Sequence, residues 1–114
     1  MRRDDELPII RTFYDFALWL IPHIGKFPRD HRFVLGERME GQLYAILENL
    51  IRAKYTAARR AILAQVNLDL EILRFHVRLA KDLRCLPLKS YGLAASHITE
   101  VGRQVGGWLR QTRQ

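Results

Sequence analysis

Cysteine is almost missing from this chain: Cys85 is the only one in 114 residues. A disulfide framework within the chain is therefore excluded, and a reducing cytoplasm is the simplest setting. Long apolar runs are scarce too. The most apolar stretch, residues 8–24, is interrupted by Arg11, Asp15 and His23, so the roughly 20 apolar residues of a membrane span do not occur. The opening MRRDDELP carries charge without an apolar run and does not read as a signal peptide. No stretch alternates polar and apolar residues at useful length, so strands are not expected. Without a strand, a Gly-rich phosphate loop has no setting.

Catalytic constellations are equally thin. No two of His23, His31, His76 and His97 sit at ligand spacing on one helix, and the Glu-x-x-His pair of di-iron bundles is lacking. Cys85 lies beside Leu86 and Pro87 in an expected turn, where a structural thiol is the simpler reading. The acidic residues are few and scattered. The expectation is a protein that is no enzyme and uses no metal or cofactor.

What the chain has is helical periodicity. A length of 114 residues suits one domain, expected over residues 1–114. Four segments repeat apolar residues at helical spacing. The first runs from about Leu7 to Ile24, with Pro8 at its start and Gly25 as its stop. The second runs from about Arg32 to Arg59, aligning Leu35, Met39, Leu43, Ile46, Leu50, Ala53 and Ala57. The third runs from about Ile62 to Leu83. The fourth runs from about Ser90 to Arg110, with Ala94, His97, Val101, Val105 and Trp108 on one face and His97 as a core histidine. Short joins force antiparallel neighbours, so the expected fold is all-α, an up-down four-helix bundle.

The third segment carries two apolar rows. At about 100° per residue, Val66, Leu70, Leu73 and Val77 share one face, and Leu68, Ile72, Phe75 and Leu79 share another roughly opposite. A helix in a lone bundle needs one such row. Leaving the second exposed forgoes about 1.5–3 kcal/mol for each large side chain, so burial against a second subunit is expected. In the fourth segment, Gly102 and Gly106 stand four apart; small residues at that spacing admit a close neighbour and join the expected oligomer interface.

Charge supplies the remaining clue. The chain carries 19 basic and 12 acidic residues, net +7. The excess is uneven: residues 25–60 hold eight basic against four acidic side chains, whereas residues 1–24 hold three against four. Such an excess suits a polyanion. The stretch FPRDHRFVLGER is instructive, because helix starts favour acids and this one carries Arg29, His31 and Arg32 against Asp30. Arg29, Arg32 and Arg38 cluster there. Lys54, Arg59 and Arg60 cluster near the end of the second segment, and Arg74, Arg78 and Lys81 line the third. All nine are candidate phosphate contacts. For Arg32 and Arg38 an internal partner among Glu37, Glu40 or Asp82 is the alternative. Arg59 and Arg60 have no acidic neighbour nearby and are expected to face an outside partner.

Three motifs in fixed order, FPRDHRFVLGERM, LRFHVRLAKDL and VGRQVGGWL, make the chain from Tyr14 to Leu109 resemble the accessory variability determinant (Avd) proteins of diversity-generating retroelements. The wider group includes four-helix-bundle proteins encoded by intervening sequences of bacterial 23S ribosomal RNA genes. The resemblance implies a basic, ring-like homo-oligomer, a pentamer. It would bind a reverse transcriptase and RNA or DNA and support mutagenic cDNA synthesis and retrohoming without catalysing it. The family's Pro-Arg-x-x-Arg-Phe pattern falls on Pro28, Arg29, Arg32 and Phe33, its Gly-x-Arg step on Gly36 and Arg38, and its Arg-Leu-Ala run on Arg78, Leu79 and Ala80. The alternative is an intervening-sequence-type bundle protein of undefined role.

Overall fold

A computed structural model describes residues 7–112; the charged opening, residues 1–6, lies outside the described residues. Four long helices, α1 (Pro8–Gly25), α2 (Glu37–Lys54), α3 (Arg59–Asp82) and α4 (Leu88–Gln111), make up the described chain, with no strand among its residues. α2 packs on α3, α3 on α4, and α1 closes the square by packing on both α2 and α4. The joins at residues 55–58 and 83–87 are too short for anything but antiparallel neighbours. The result is a four-helix bundle with extents of 44 × 28 × 23 Å.

Each helix gives one stripe to a common core. Phe13, Phe16, Leu20 and Ile24 come from α1, Met39, Leu43, Ile46 and Leu50 from α2, Leu63, Val66, Leu73 and Val77 from α3, and Ala94, Ile98, Val101 and Val105 from α4. No polar or charged residue among those described is buried. His97 accordingly stands at the core's edge and not inside it. Its ring is half-buried and stacks on Phe16 at 5.4 Å and Trp19 at 5.6 Å, while Ile98 takes the inward position.

The ends of the helices differ from the sequence reading. Gly25 is the last residue of α1 and not a left-handed stop, since no described glycine has positive φ. Instead Lys26 N–H donates to the His23 carbonyl and Phe27 N–H to that of Ile24, and buried Phe27 pins the turn. One α turn (Arg29–His31) and a π-helical stretch (Arg32–Gly36) then lead into α2. The wide π turn sends Leu35 and Gly36 inward and leaves Phe33 and Val34 exposed. Gly36 is there because α1 comes close: a Cβ at this position would lie 3.0 Å from Ile24 Cγ2.

The second helix stops at Lys54, five residues before the expected Arg59, and the third begins at Arg59, three before Ile62. The break falls where core contacts run out: Ala53 is fully buried and Tyr55 is exposed. Thr56 Oγ1 then accepts the Ala58 N–H at 3.3 Å, offering the backbone an alternative to the helix. Ala57 is in the join and not on a helical face. α3 closes in a Schellman arrangement, with Arg84 N–H donating to the Lys81 carbonyl at 2.9 Å and Cys85 N–H to that of Ala80 at 2.7 Å. Arg84 adopts φ 65°, the left-handed slot that usually holds glycine, at a cost of about 1 kcal/mol.

Two glycine substitutions separate close packing from helix propensity. Gly36→Ala should lose about 1–2 kcal/mol, because Ile24 is locked in the core and cannot yield freely. Gly41→Ala, in α2 with open space at its Cβ, should gain up to about 1 kcal/mol. Chemical denaturation of both variants checks the opposite signs.

Candidate interaction surface

α3 packs on α2 and on α4, and its outward face is left uncovered by the described residues. The inner row from Leu63 to Ala80 is sealed. The outer row is open: Leu68 is 55%, Ile72 40%, Phe75 59% and Leu79 45% exposed. The four side chains follow one another at three or four residues, so they form a continuous strip about three turns long. Leu68, Ile72, Phe75 and Leu79 of the expected interface therefore lie together on one face of α3, while Gly102 and Gly106 lie on α4.

The basic edge runs beside this strip, along the seam between α3 and α4. Arg74 reaches across the seam, its guanidinium donating to Thr99 Oγ1 at 3.2 Å and lying 3.4 Å from Glu71. Lys81 lies 3.2 Å from Asp82 and 4.8 Å from the Tyr91 ring centroid. Arg78, between them, is exposed and has no ion-pair partner among the described residues. Helical spacing places Gly102 and Gly106 on the α4 side of the same seam, in register with Tyr91 and Thr99. Gly102 has open space at its Cβ, while Gly106 has Arg110 Nη1 at 3.5 Å.

The other candidate arginines separate by what they touch. Arg32 Nη1 donates to the Gly25 carbonyl at 3.2 Å, and the guanidinium lies 4.9 Å from the Phe33 ring. Its internal partner is thus the last carbonyl of α1 and none of Glu37, Glu40 or Asp82. A helix C-terminus is the negative end of its dipole, so a cation there is stabilised. The positive charge at the entry to α2 belongs electrostatically to the exit of α1. Arg38 is exposed; its charge, after burial as the main cause, depresses the pKa of His76, whose Nδ1 lies 2.8 Å from Gln42 Oε1.

Arg59 and Arg60 sit at the opposite end of the rod and also find partners within the chain. Arg59 Nε donates to the Thr56 carbonyl at 3.0 Å and its guanidinium lies 5.6 Å from the Trp108 ring centroid. Arg60 Nη1 reaches the Thr112 carbonyl at 3.4 Å. Lys54 lies over Tyr55 at 5.2 Å. The nine cations do not form one surface: Lys54, Arg59 and Arg60 gather at one end, Arg29, Arg32, Arg38, Arg78 and Lys81 toward the other, and Arg74 stands between them along α3. Sequence reasoning passed over Lys26 and Arg84, which join Lys81 around an open cavity at that second end. The up-down order of the helices was the signal, because it brings the close of α1 and the close of α3 together.

No cluster of three metal-ligating side chains occurs among the described residues, and no helix there is long and apolar enough to cross a membrane. Burial pushes the Cys85 thiol pKa up, which keeps it protonated near neutrality.

Alanine substitution should divide these arginines. Arg32→Ala and Arg59→Ala should each cost about 1 kcal/mol, and the latter should shift Trp108 fluorescence. Arg78→Ala should leave the thermal midpoint nearly unchanged.

A family model described as bAvd-like matches residues 8–112. No curated protein matches the chain.

Proposed function

This chain belongs to the bAvd-like family, and from that premise we propose that it is a non-catalytic accessory subunit of a diversity-generating retroelement. In this reading it acts as a single domain in the cytoplasm. Copies assemble into a ring-like homo-oligomer, a pentamer, which binds the element's reverse transcriptase and holds RNA or DNA during mutagenic cDNA synthesis and retrohoming. The chemistry resides in the polymerase.

The observation that carries the reading is the open outer row of α3 beside a basic edge. Leu68, Ile72, Phe75 and Leu79 stay 40–59% exposed on one chain, and apolar strips of this kind mark contact surfaces. Head-to-tail contact through such a strip closes into a ring when the rotation permits. Arg74, Arg78 and Lys81 then recur around the ring, and repeated weak phosphate contacts gain from avidity. No sequence-reading pattern accompanies these cations, so the binding is backbone-directed and salt-sensitive.

Sedimentation should give a mass well above the 13.4 kDa of one chain. Ile72→Asp or Phe75→Asp should reduce it to the monomer while helical circular dichroism persists. A wild-type monomer at working concentration contradicts the assembly. Affinity for single-stranded RNA should fall linearly in log–log form with salt; a flat response removes the phosphate-contact mechanism.

A further inference from the structure

The close of α1, the close of α3 and the start of α4 meet at one end of the bundle. Between them lies an open cavity of about 750 Å³, walled by His23 of α1 and Lys26 just after it, Lys81 of α3 and Arg84 just after it, and Ser90 of α4 with Pro87 just before that helix. That volume suits a nucleotide-sized ligand. No carboxylate lines it. Asp82 is the acid nearest this wall by contact, 3.2 Å from the Lys81 ammonium. Neither Lys26 nor Arg84 makes an ion pair among the described residues. The floor is apolar, with Cys85 and Leu86 buried.

Arg84 makes the cavity unusual. Its backbone is left-handed at φ 65°, in a Schellman turn that glycine fills without strain. The fold gives the side chain nothing in return, since it is exposed and no described residue bonds its guanidinium. Observed strain of this kind points outward, to something the side chain meets. Arg78 and Lys81 lie one turn apart on α3, with a rise of about 4.5 Å between them, and Arg84 follows beyond the helix end, where it lines the cavity with Lys81. The row begins on the exposed α3 edge and ends in the cavity. The first turn of α4, which has no acidic residue and no side-chain cap, adds its free N–H groups to the same field.

We propose that this cavity is a phosphate site, in which Lys26, Lys81 and Arg84 anchor one phosphate of a nucleic-acid strand lying along the α3 edge. The assignment rests on the polyanion reading above for the strand, and on the cavity alone for the phosphate. Phosphate could come from a strand or from a small anion; the continuous row of cations favours the strand.

The test uses the full chain, a fluorescent single-stranded RNA, and inorganic pyrophosphate as a competitor. Arg84→Gly should raise the thermal midpoint by about 2–5 °C, because the strain is relieved. The same variant should weaken RNA binding about three- to tenfold and lower the salt slope by about one. Lys26→Gln should weaken binding similarly with little change in midpoint, and Arg52→Gln, on the α2 surface, should change neither. Pyrophosphate should displace RNA from the wild type more readily than from Arg84→Gly. Unchanged RNA affinity and salt slope in Arg84→Gly overturn the site while leaving the broader nucleic-acid reading intact. A lowered midpoint makes Arg84 a structural residue and overturns it as well. If wild-type protein ignores RNA, the function proposed above falls. Pyrophosphate that still stabilises wild type but not Arg84→Gly would then mark a small-anion pocket and overturn the strand.

Discussion

Leu63, Val66, Leu70, Leu73 and Val77 seal α3 against the other helices, and the same helix carries Leu68, Ile72, Phe75 and Leu79 on its back. α2 and α4 pack along its inner side, and no further helix among the described residues covers the outer one. The magnitudes limit what this row achieves alone. Full burial of one large apolar side chain is worth about 1.5–3 kcal/mol, and these four are already about half covered. Covering the rest yields about 1 kcal/mol apiece, a few kcal/mol in all. Association costs at least about 4 kcal/mol in lost freedom of motion. In the proposed ring the row would start a contact without completing one, and the receiving face would have to add its own complementarity. Exposed Leu18, Tyr44 and Ile51, on α1 and α2, are apolar surface on the far side of the same chain. A strip on one side and apolar surface on another is the arrangement head-to-tail contact requires.

Net charge conceals two populations of cation. Arg32, Arg59 and Arg60 donate to carbonyls at helix ends or joins, and Arg103 is held by Glu100, whose carboxylate it pulls down to about 2 together with Gln104. Those charges are answered within the chain. Lys26, Arg78 and Arg84 are not answered by any described residue. A polyanion interacts with the second group at little structural cost, whereas recruiting the first would release a helix end. The partition also explains how an entry turn as basic as FPRDHR is tolerated: Arg32 neutralises the exit of α1.

Periodicity carried most of the architecture. The inward residues of α2 and α3 were legible because their spacing is regular and their neighbours are polar, and the second row of α3 was legible for the same reason. The π turn was not, since Phe33, Val34 and Leu35 are all apolar and only packing against Ile24 and Phe27 decides which turn inward. The break at residues 55–58 hid in an alanine-rich stretch with no proline or glycine, where a threonine side chain and the end of core contact set the stop. Arginine roles were the least legible. A sequence displays charges and their near neighbours along the chain, but Arg32, Arg59 and Arg60 bind carbonyls, which every residue has and no composition reveals.

The apolar strip and the basic seam are compatible because they occupy different arcs of α3. Helical spacing puts Phe75 roughly 100–120° and Ile72 roughly 160–180° around the axis from Arg74 and Lys81, with Arg78 between Phe75 and Arg74. In the proposed ring a neighbour seated on the strip leaves the seam open and stands at its lip. Displacing water from that lip lowers the local dielectric, so each charge acts more strongly on a phosphate than it does on the isolated chain. Assembly and nucleic-acid binding then reinforce one another: contact between copies strengthens the field, and a strand spanning two copies opposes their separation. Coupling of this sort is reciprocal by thermodynamic necessity, so an interface substitution far from any cation weakens strand binding, and loss of seam charge loosens the ring only when a strand is bound.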